Sequence, residues 1–310
     1  MNPPSTSRER RLAEIGVLFV MVFWAANFIV VKAANEQIPP ATFALLRFAI
    51  AALTLLIVLR WREGSLRLPR GDIVPVLGIG ALGFGVYQLL WASALQDIPA
   101  GDSALLIAST PVMTALLSVY SGADTLTRAK LLGSLVSFAG VAIVIASGPG
   151  LALTSAVGAL LTLAAAVCWS VYTAFGAPIL RRHSPLRTTA WAMVGGSLVL
   201  AVPGAAQAVG VDWPSVDVDA WAGLAFAAFI PAGIANVIVF SAIRLLGPTR
   251  ITALQFLVPF IAVLLGAAIL SEPMRIEQLL GGVVIVLGVV LTRSERAGDL
   301  AGWLRSRLPA

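Results

Sequence analysis

The chain has 310 residues, 59% of them hydrophobic and only 12% charged, with a mean hydropathy of +0.94. Soluble domains carry about one quarter charged residues, so an ordinary water-soluble enzyme or binding module is excluded. The net charge of +6 does not indicate nucleic acid, because the arginines stand in short connectors between apolar runs and form no basic stripe.

A helix needs roughly 20 apolar residues to cross the hydrocarbon core. The sequence divides into ten such segments: 14–34, 41–60, 72–95, 101–121, 129–147, 156–180, 187–206, 219–243, 250–270 and 275–292. Arg8, Arg10 and Arg11 precede the first, as in a signal peptide. The apolar run from Ile15 to Val31 is longer than a typical h-region and lacks a convincing cleavage site, so it reads as the first membrane helix. Breakers separate the segments, among them Pro39-Pro40, Pro69, Pro185 and Gly247-Pro248. Connections are short, which sets successive helices antiparallel.

In chain order, the polar and aromatic residues inside these segments are the candidates for function. Helix 1 offers Trp24 and Asn27 near the midplane. Helix 2 carries Arg47, the one basic residue inside a span, about two turns from its start. An intramembrane charge is a functional candidate; snorkelling or bonding to loop carbonyls is the plainer alternative. Helix 3 presents Tyr87, Gln88 and Trp91 after the glycines Gly78 to Gly85, which suit close helix approach. Helix 6 offers Trp169, Tyr172 and Thr173, helix 8 Asn236 and Ser241, and helix 9 Gln255. Tryptophan gathers at membrane interfaces, so Trp24 and Trp169 at mid-depth are expected to line a substrate path. Buried amides need partners, so interhelical hydrogen bonding competes with substrate contact as their purpose. Pro111 and Pro259 lie within helices 4 and 9, where each frees an upstream carbonyl; a kink shaping a cavity or a gating pivot follows. Asp124 and Glu272 are expected to cap adjoining helices. The lone Cys168 permits no disulfide within the chain and reads as a packed thiol.

With the N-terminus inside, all of the 21 lysines and arginines except Lys32, Arg47 and Arg275 fall in inner connectors and termini. That bias sets both termini in the cytoplasm, and because a different helix count would scramble it, it supports ten spans.

An internal repeat is the strongest feature. At an offset of 148 residues, Pro111, Asp124, Gly133 and Gly140 correspond to Pro259, Glu272, Gly281 and Gly288. Trp24 and Pro40 match Trp169 and Pro185 at an offset of 145. Each repeat holds an odd number of spans, so the halves are inverted relative to each other, with a site expected near the midplane where they meet.

These residues resemble the drug/metabolite transporter superfamily and its EamA-type ten-helix exporters. The Trp24-to-Asn27 segment, Pro40 to Arg47, and the proline–acid–glycine run closing each half carry the resemblance over roughly residues 14–292. The pattern departs in the second half, where Ala192 aligns with Arg47. Within the superfamily the chain is similar to the bacterial aromatic amino-acid exporters. The resemblance implies an all-α membrane protein of two inverted five-helix repeats, 14–147 and 156–292, followed by a cytoplasmic tail, 293–310. It implies a secondary transporter of the inner membrane that exports small metabolites by alternating access. Amino acids with aromatic or large apolar side chains are the expected cargo. Trp24, Asn27, Tyr87, Trp91, Trp169, Tyr172, Asn236 and Gln255 would bind it, and Pro111, Pro259 and Arg47 would gate or shape the path.

Another metabolite or drug-like compound, moved in either direction, and a non-transporting scaffold or receptor are the alternatives. No G-x-x-x-x-G-K-[ST] motif or ATPase subunit is implied, since neither Lys32 nor Lys130 is followed by Ser or Thr. An intramembrane hydrolase is disfavoured, because the sole histidine, His183, lies in a loop beside Arg182. No cofactor or metal is expected; the partners are a small-molecule substrate and the bilayer. Titratable acids cluster at helix ends, so substrate movement is expected to be weakly coupled to protons or uncoupled.

Overall fold

The computed structural model describes residues 7–97, 103, 106–147, 155–270 and 275–292. All regular structure among them is helical: α1 (Ser7–Ala34), α2 (Pro40–Glu63), α3 (70–97), α4 (Thr110–Tyr120), α5 (Arg128–Ala146), α6 (Ala156–Ile179), α7 (Pro185–Ala208), α8 (Val218–Leu246), α9 (248–270) and α10 (Ile276–Thr292). Eight helices are long and apolar enough to cross a membrane, and α4 and α10 are shorter apolar helices. Helices suit this chain because a bilayer leaves every backbone polar group to be satisfied within the segment.

Helix ends follow from local sequence. Pro40 and Pro185 begin α2 and α7, where a missing N–H costs no helical bond. Thr127, Ser155 and Ser184 cap α5, α6 and α7 through their side-chain oxygens. Gly64 ends α2 at φ +70°, a conformation open to glycine without strain. Asp124 is not a cap. Its Oδ1 accepts from the Thr125 amide at 2.8 Å and pairs with Lys130 at 2.6 Å, tying the loop to the first turn of α5. Glu272 and the tail 293–310 lie outside the described residues.

The packing is two-fold. Helix α2 packs on its repeat mate α7, and α5 on its mate α10. Contacts of α3 with α6 and α7 are mirrored by those of α8 with α1 and α2, and α4 against α6 by α9 against α1. The α5–α10 contact explains the glycines of the repeat. A Cβ on Gly140 would lie 2.7 Å from the Ile285 amide nitrogen, and one on Gly288 would lie 2.4 Å from that of Ser137. Ser137 Oγ donates to the Ile285 carbonyl at 3.1 Å across the same contact. The four glycines thus let one repeat lie backbone-to-backbone against the other.

Two helices depart from regular α geometry at matching places. Residues Ala81–Val86 of α3 and Ala228–Ile234 of α8 form π-helical turns. The glycines of α3 serve approach as well: a Cβ on Gly80 would overlap the Ala192 carbonyl, and one on Gly83 would strike Tyr172. Large apolar side chains such as Phe19, Leu53, Leu160, Leu198 and Val283 point outward. On a soluble protein such a surface would drive aggregation; around this bundle it meets acyl chains.

Candidate substrate-binding site

The symmetry-related tryptophans meet where the two repeats join. Trp24 of α1 and Trp169 of α6 stand edge to face with centroids 5.9 Å apart. Tyr87 of α3 lies 5.6 Å from Trp169, and Tyr172 lies 5.3 Å from it. Phe84 packs on Trp169, Tyr172 and Phe48. Phe240 of α8 stacks on Tyr172 at 4.9 Å and 18°. The rings so arranged join α1, α2, α3, α6 and α8.

Their roles divide by exposure. Trp24, Tyr87 and Trp169 are partly exposed, whereas Tyr172 is 1% exposed and wedged against Phe84, Phe240 and Gly83. In this conformation Tyr172 is core and presents no open face. Trp24 is held by its indole N–H, which donates to the Pro231 carbonyl at 3.1 Å inside the π-turn of α8. The Asn236 amide donates to that same carbonyl at 3.1 Å and to that of Ala232 at 2.8 Å. A π-turn and a proline displace backbone carbonyls from their helical donors, and these two side chains supply replacements. Asn236 is therefore spent on its own helix, while Trp24 stays partly exposed beside Trp169.

Asn27 Oδ1 is buried and accepts no hydrogen bond. Gln255 sits in the 3-10 turn Ala253–Phe256, immediately before Pro259. Pro111 likewise follows a break, the turn at Ala108-Ser109. Both repeat prolines therefore mark irregular helix, as their missing donors require. Trp91 is fixed one turn above Tyr87, its indole donating to Ser103 at 3.1 Å.

Arg47 neither snorkels nor reaches loop carbonyls. It is 8% exposed, donates to Gln88 Oε1 at 3.2 Å, and lies 4.4 Å from the Phe48 ring centroid.

The arginine-rich end of the bundle holds the ion pairs. Arg250 joins α9 to Glu14 of α1 at 2.8 Å, and Arg187 joins α7 to Glu63 of α2 at 3.0 Å. Asp72 of α3 takes Arg182 and His183, the histidine at 2.7 Å. His183 is thus buried, a placement the loop sequence did not indicate. The hydroxyl of Ser184 turns to Glu63.

Phe84 and Phe240 were missed as candidates because phenylalanines in apolar helices carry no distinguishing pattern. At the opposite end, Gln37 ties to Asp217 in both directions, at 3.0 and 2.8 Å. Surface grooves lie away from the aromatic cluster. One runs along the flank between α2 and α8, past Thr54, Val58, Phe229 and Ile234; another lies by Glu36, Asp212 and Asp217.

The family model for the EamA-like transporter family matches twice, over residues 11–146 and 156–294. The chain belongs to the EamA-like transporter family. It is a multi-pass membrane protein of that fold, and the family's members are transporters. Similar proteins span the same length. "Uncharacterized transporter YyaM" of Bacillus subtilis is 27% identical over 89% of this chain and 92% of its own. "Probable terminal-alkyne amino-acid exporter" of Streptantibioticus cattleyicolor is 29% identical over 91% and 93%. "Probable amino-acid metabolite efflux pump" of Salmonella typhimurium is 26% identical over 88% and 92%. A crystal structure of another protein matches with a TM-score of 0.77 at 20% identity, over 91% of this chain and 98% of that one. That likeness bears on the EamA fold alone.

Proposed function

We propose that this EamA transporter exports amino acids with aromatic or large apolar side chains across the inner membrane. It works by alternating access, with both termini and the arginine-rich end in the cytoplasm. The observation that carries the reading is the meeting of Trp24 and Trp169 at 5.9 Å between the inverted repeats. Inverted-repeat carriers bind near the midplane at that junction and rock one half against the other. Here the junction offers aromatic faces rather than a charged centre. Such a wall suits an apolar side chain, because rings gain about 0.5–1.5 kcal/mol from aromatic partners beyond burial. The partly exposed Trp24, Tyr87 and Trp169 are the contacts for that side chain. In this reading Asn27 and Gln255 are the polar contacts, and Trp91, bonded to Ser103, borders the site one turn beyond Tyr87. Tyr172 and Asn236 support the site from behind. Pro111 and Pro259 shape the two helices that border it.

The resemblance to the bacterial aromatic amino-acid exporters supports this substrate class, and the similar probable terminal-alkyne amino-acid exporter and probable amino-acid metabolite efflux pump support amino acids more broadly. The basic-residue bias supports the orientation. Uptake into liposomes by the purified protein tests the reading, with phenylalanine, tryptophan and leucine set against alanine, uridine and glucose. Saturable uptake of the first group and little of the second is expected. Equal uptake of all six, or uptake of uridine or glucose alone, would refute the substrate class.

A further inference from the structure

Arg47 is a buried cation that pairs with no acid among the described residues. Its exposure is 8%, which excludes a head group in water. Glu14 pairs with Arg250, Glu63 with Arg187, Asp72 with Arg182 and His183, and Asp124 with Lys130, and none of these pairs involves Arg47. Of its five N–H donors, one reaches Gln88 Oε1 at 3.2 Å, and Nε has no partner at all. The Phe48 ring 4.4 Å away contributes a cation–π contact but no negative charge. A neutral amide can orient a guanidinium; it cannot neutralise one. Left so, the group carries an uncompensated desolvation cost.

We propose that Arg47 is a carboxylate-binding subsite, its buried and unpartnered Nε–H turning to the α-carboxylate of the transported amino acid when the site opens. This assignment rests on the amino-acid reading of the site. A guanidinium presents parallel N–H donors that match a carboxylate; here Nε–H is unpartnered, and the neighbouring Nη2, which gives one N–H to Gln88, carries a second. Position agrees with it. Gln88, which holds the guanidinium, is the chain neighbour of Tyr87 in α3. Tyr87 in turn lies 5.6 Å from Trp169. A ligand held at Arg47 would therefore place its side chain along Tyr87 and Trp169. Asn27, whose Oδ1 is buried without a donor, offers an acceptor for an ammonium group at a similar depth in α1. The second repeat has no such pole. Asn236 occupies the position of Gln88, but Ala192 occupies that of Arg47, and its carbonyl is packed where a Cβ on Gly80 would lie. One anchor per molecule gives the ligand a single orientation in an otherwise two-fold frame.

The test compares ligand-induced shifts in thermal unfolding of the purified full-length protein, at a mildly acid pH that keeps amines charged. The probes are L-phenylalanine, L-phenylalaninamide and 3-phenylpropionate. In the parent, phenylalanine is expected to bind about tenfold or more tightly than its amide, the scale of a charged hydrogen-bonded contact. In Arg47→Gln that ratio should fall to about one, with Arg47→Lys retaining part of it. An amide that binds the parent as well as the acid overturns the subsite without recourse to any variant, so misfolding of Arg47→Gln cannot rescue it. If 3-phenylpropionate stabilises the parent while phenylalanine does not, the anion subsite stands and the amino-acid reading falls. If neither carboxylate stabilises the parent, the proposed subsite is wrong.

Discussion

The Pro231 carbonyl is where single residues join architecture to site. Trp24 and Asn236 both donate to it, and Asn236 also serves Ala232. Removing the donor of one partner leaves the other, so Trp24→Phe should cost little, about 0.5–1.5 kcal/mol. Asn236→Leu strips hydrogen bonds from two carbonyls in a buried turn and should cost about 1–3 kcal/mol. Thermal unfolding of the purified variants should therefore rank Asn236→Leu below Trp24→Phe and both below the parent; the reverse order would show that the π-turn does not depend on Asn236. Trp169→Ala and Tyr87→Ala act differently, since each removes a ring that the substrate is proposed to touch. Loss of one aromatic contact should raise the apparent KM for phenylalanine about three- to tenfold and leave that for small substrates nearly unchanged. An unchanged KM for phenylalanine in both variants would remove these rings from the site.

At the scale of elements, the repeat's glycines let α5 and α10 touch. A methyl group on Gly140 or Gly288 would meet backbone atoms at 2.7 and 2.4 Å, which no side-chain adjustment relieves. Gly140→Ala and Gly288→Ala are therefore expected to reduce the yield of monodisperse protein extracted from membranes. Gly78→Ala, where a Cβ has nothing within 4 Å, should not. Normal yield of all three would mean that the helices can separate at no cost. The sequence made much of this legible. Ten apolar runs, their breakers and the proline–acid–glycine register were all visible, because membrane length and repetition leave strong patterns. It did not show that the glycines of one repeat meet those of the other, since a motif names no partner. The π-turns at Ala81–Val86 and Ala228–Ile234 were hidden as well, because one extra residue in a turn leaves the apolar pattern intact. Trp24 and Trp169 could be picked out by their depth, whereas Phe84 and Phe240 could not be told from the surrounding apolar residues. Asp72 and His183 are distant in sequence and nothing in their spacing marks them as a pair; only folding buries them together at 2.7 Å.

For the whole molecule, orientation is tested by thiol labelling. Arg67→Cys and Ser215→Cys lie in exposed connectors at opposite ends of the bundle. In intact cells Ser215→Cys should react with an impermeant reagent and Arg67→Cys should not; the opposite pattern would invert the proposed topology. The central claim is a single amino-acid site, between inverted repeats, that opens to the two sides in turn. Counterflow in liposomes addresses it most directly. Vesicles loaded with unlabelled phenylalanine are diluted into labelled phenylalanine, with no imposed ion gradient. An alternating carrier returns loaded in exchange, so the label should rise transiently above its equilibrium level in the parent protein. Preloading with glucose in place of phenylalanine should abolish the overshoot. A label that only relaxes to equilibrium, whatever the vesicles contain, would contradict alternating access to a common amino-acid site.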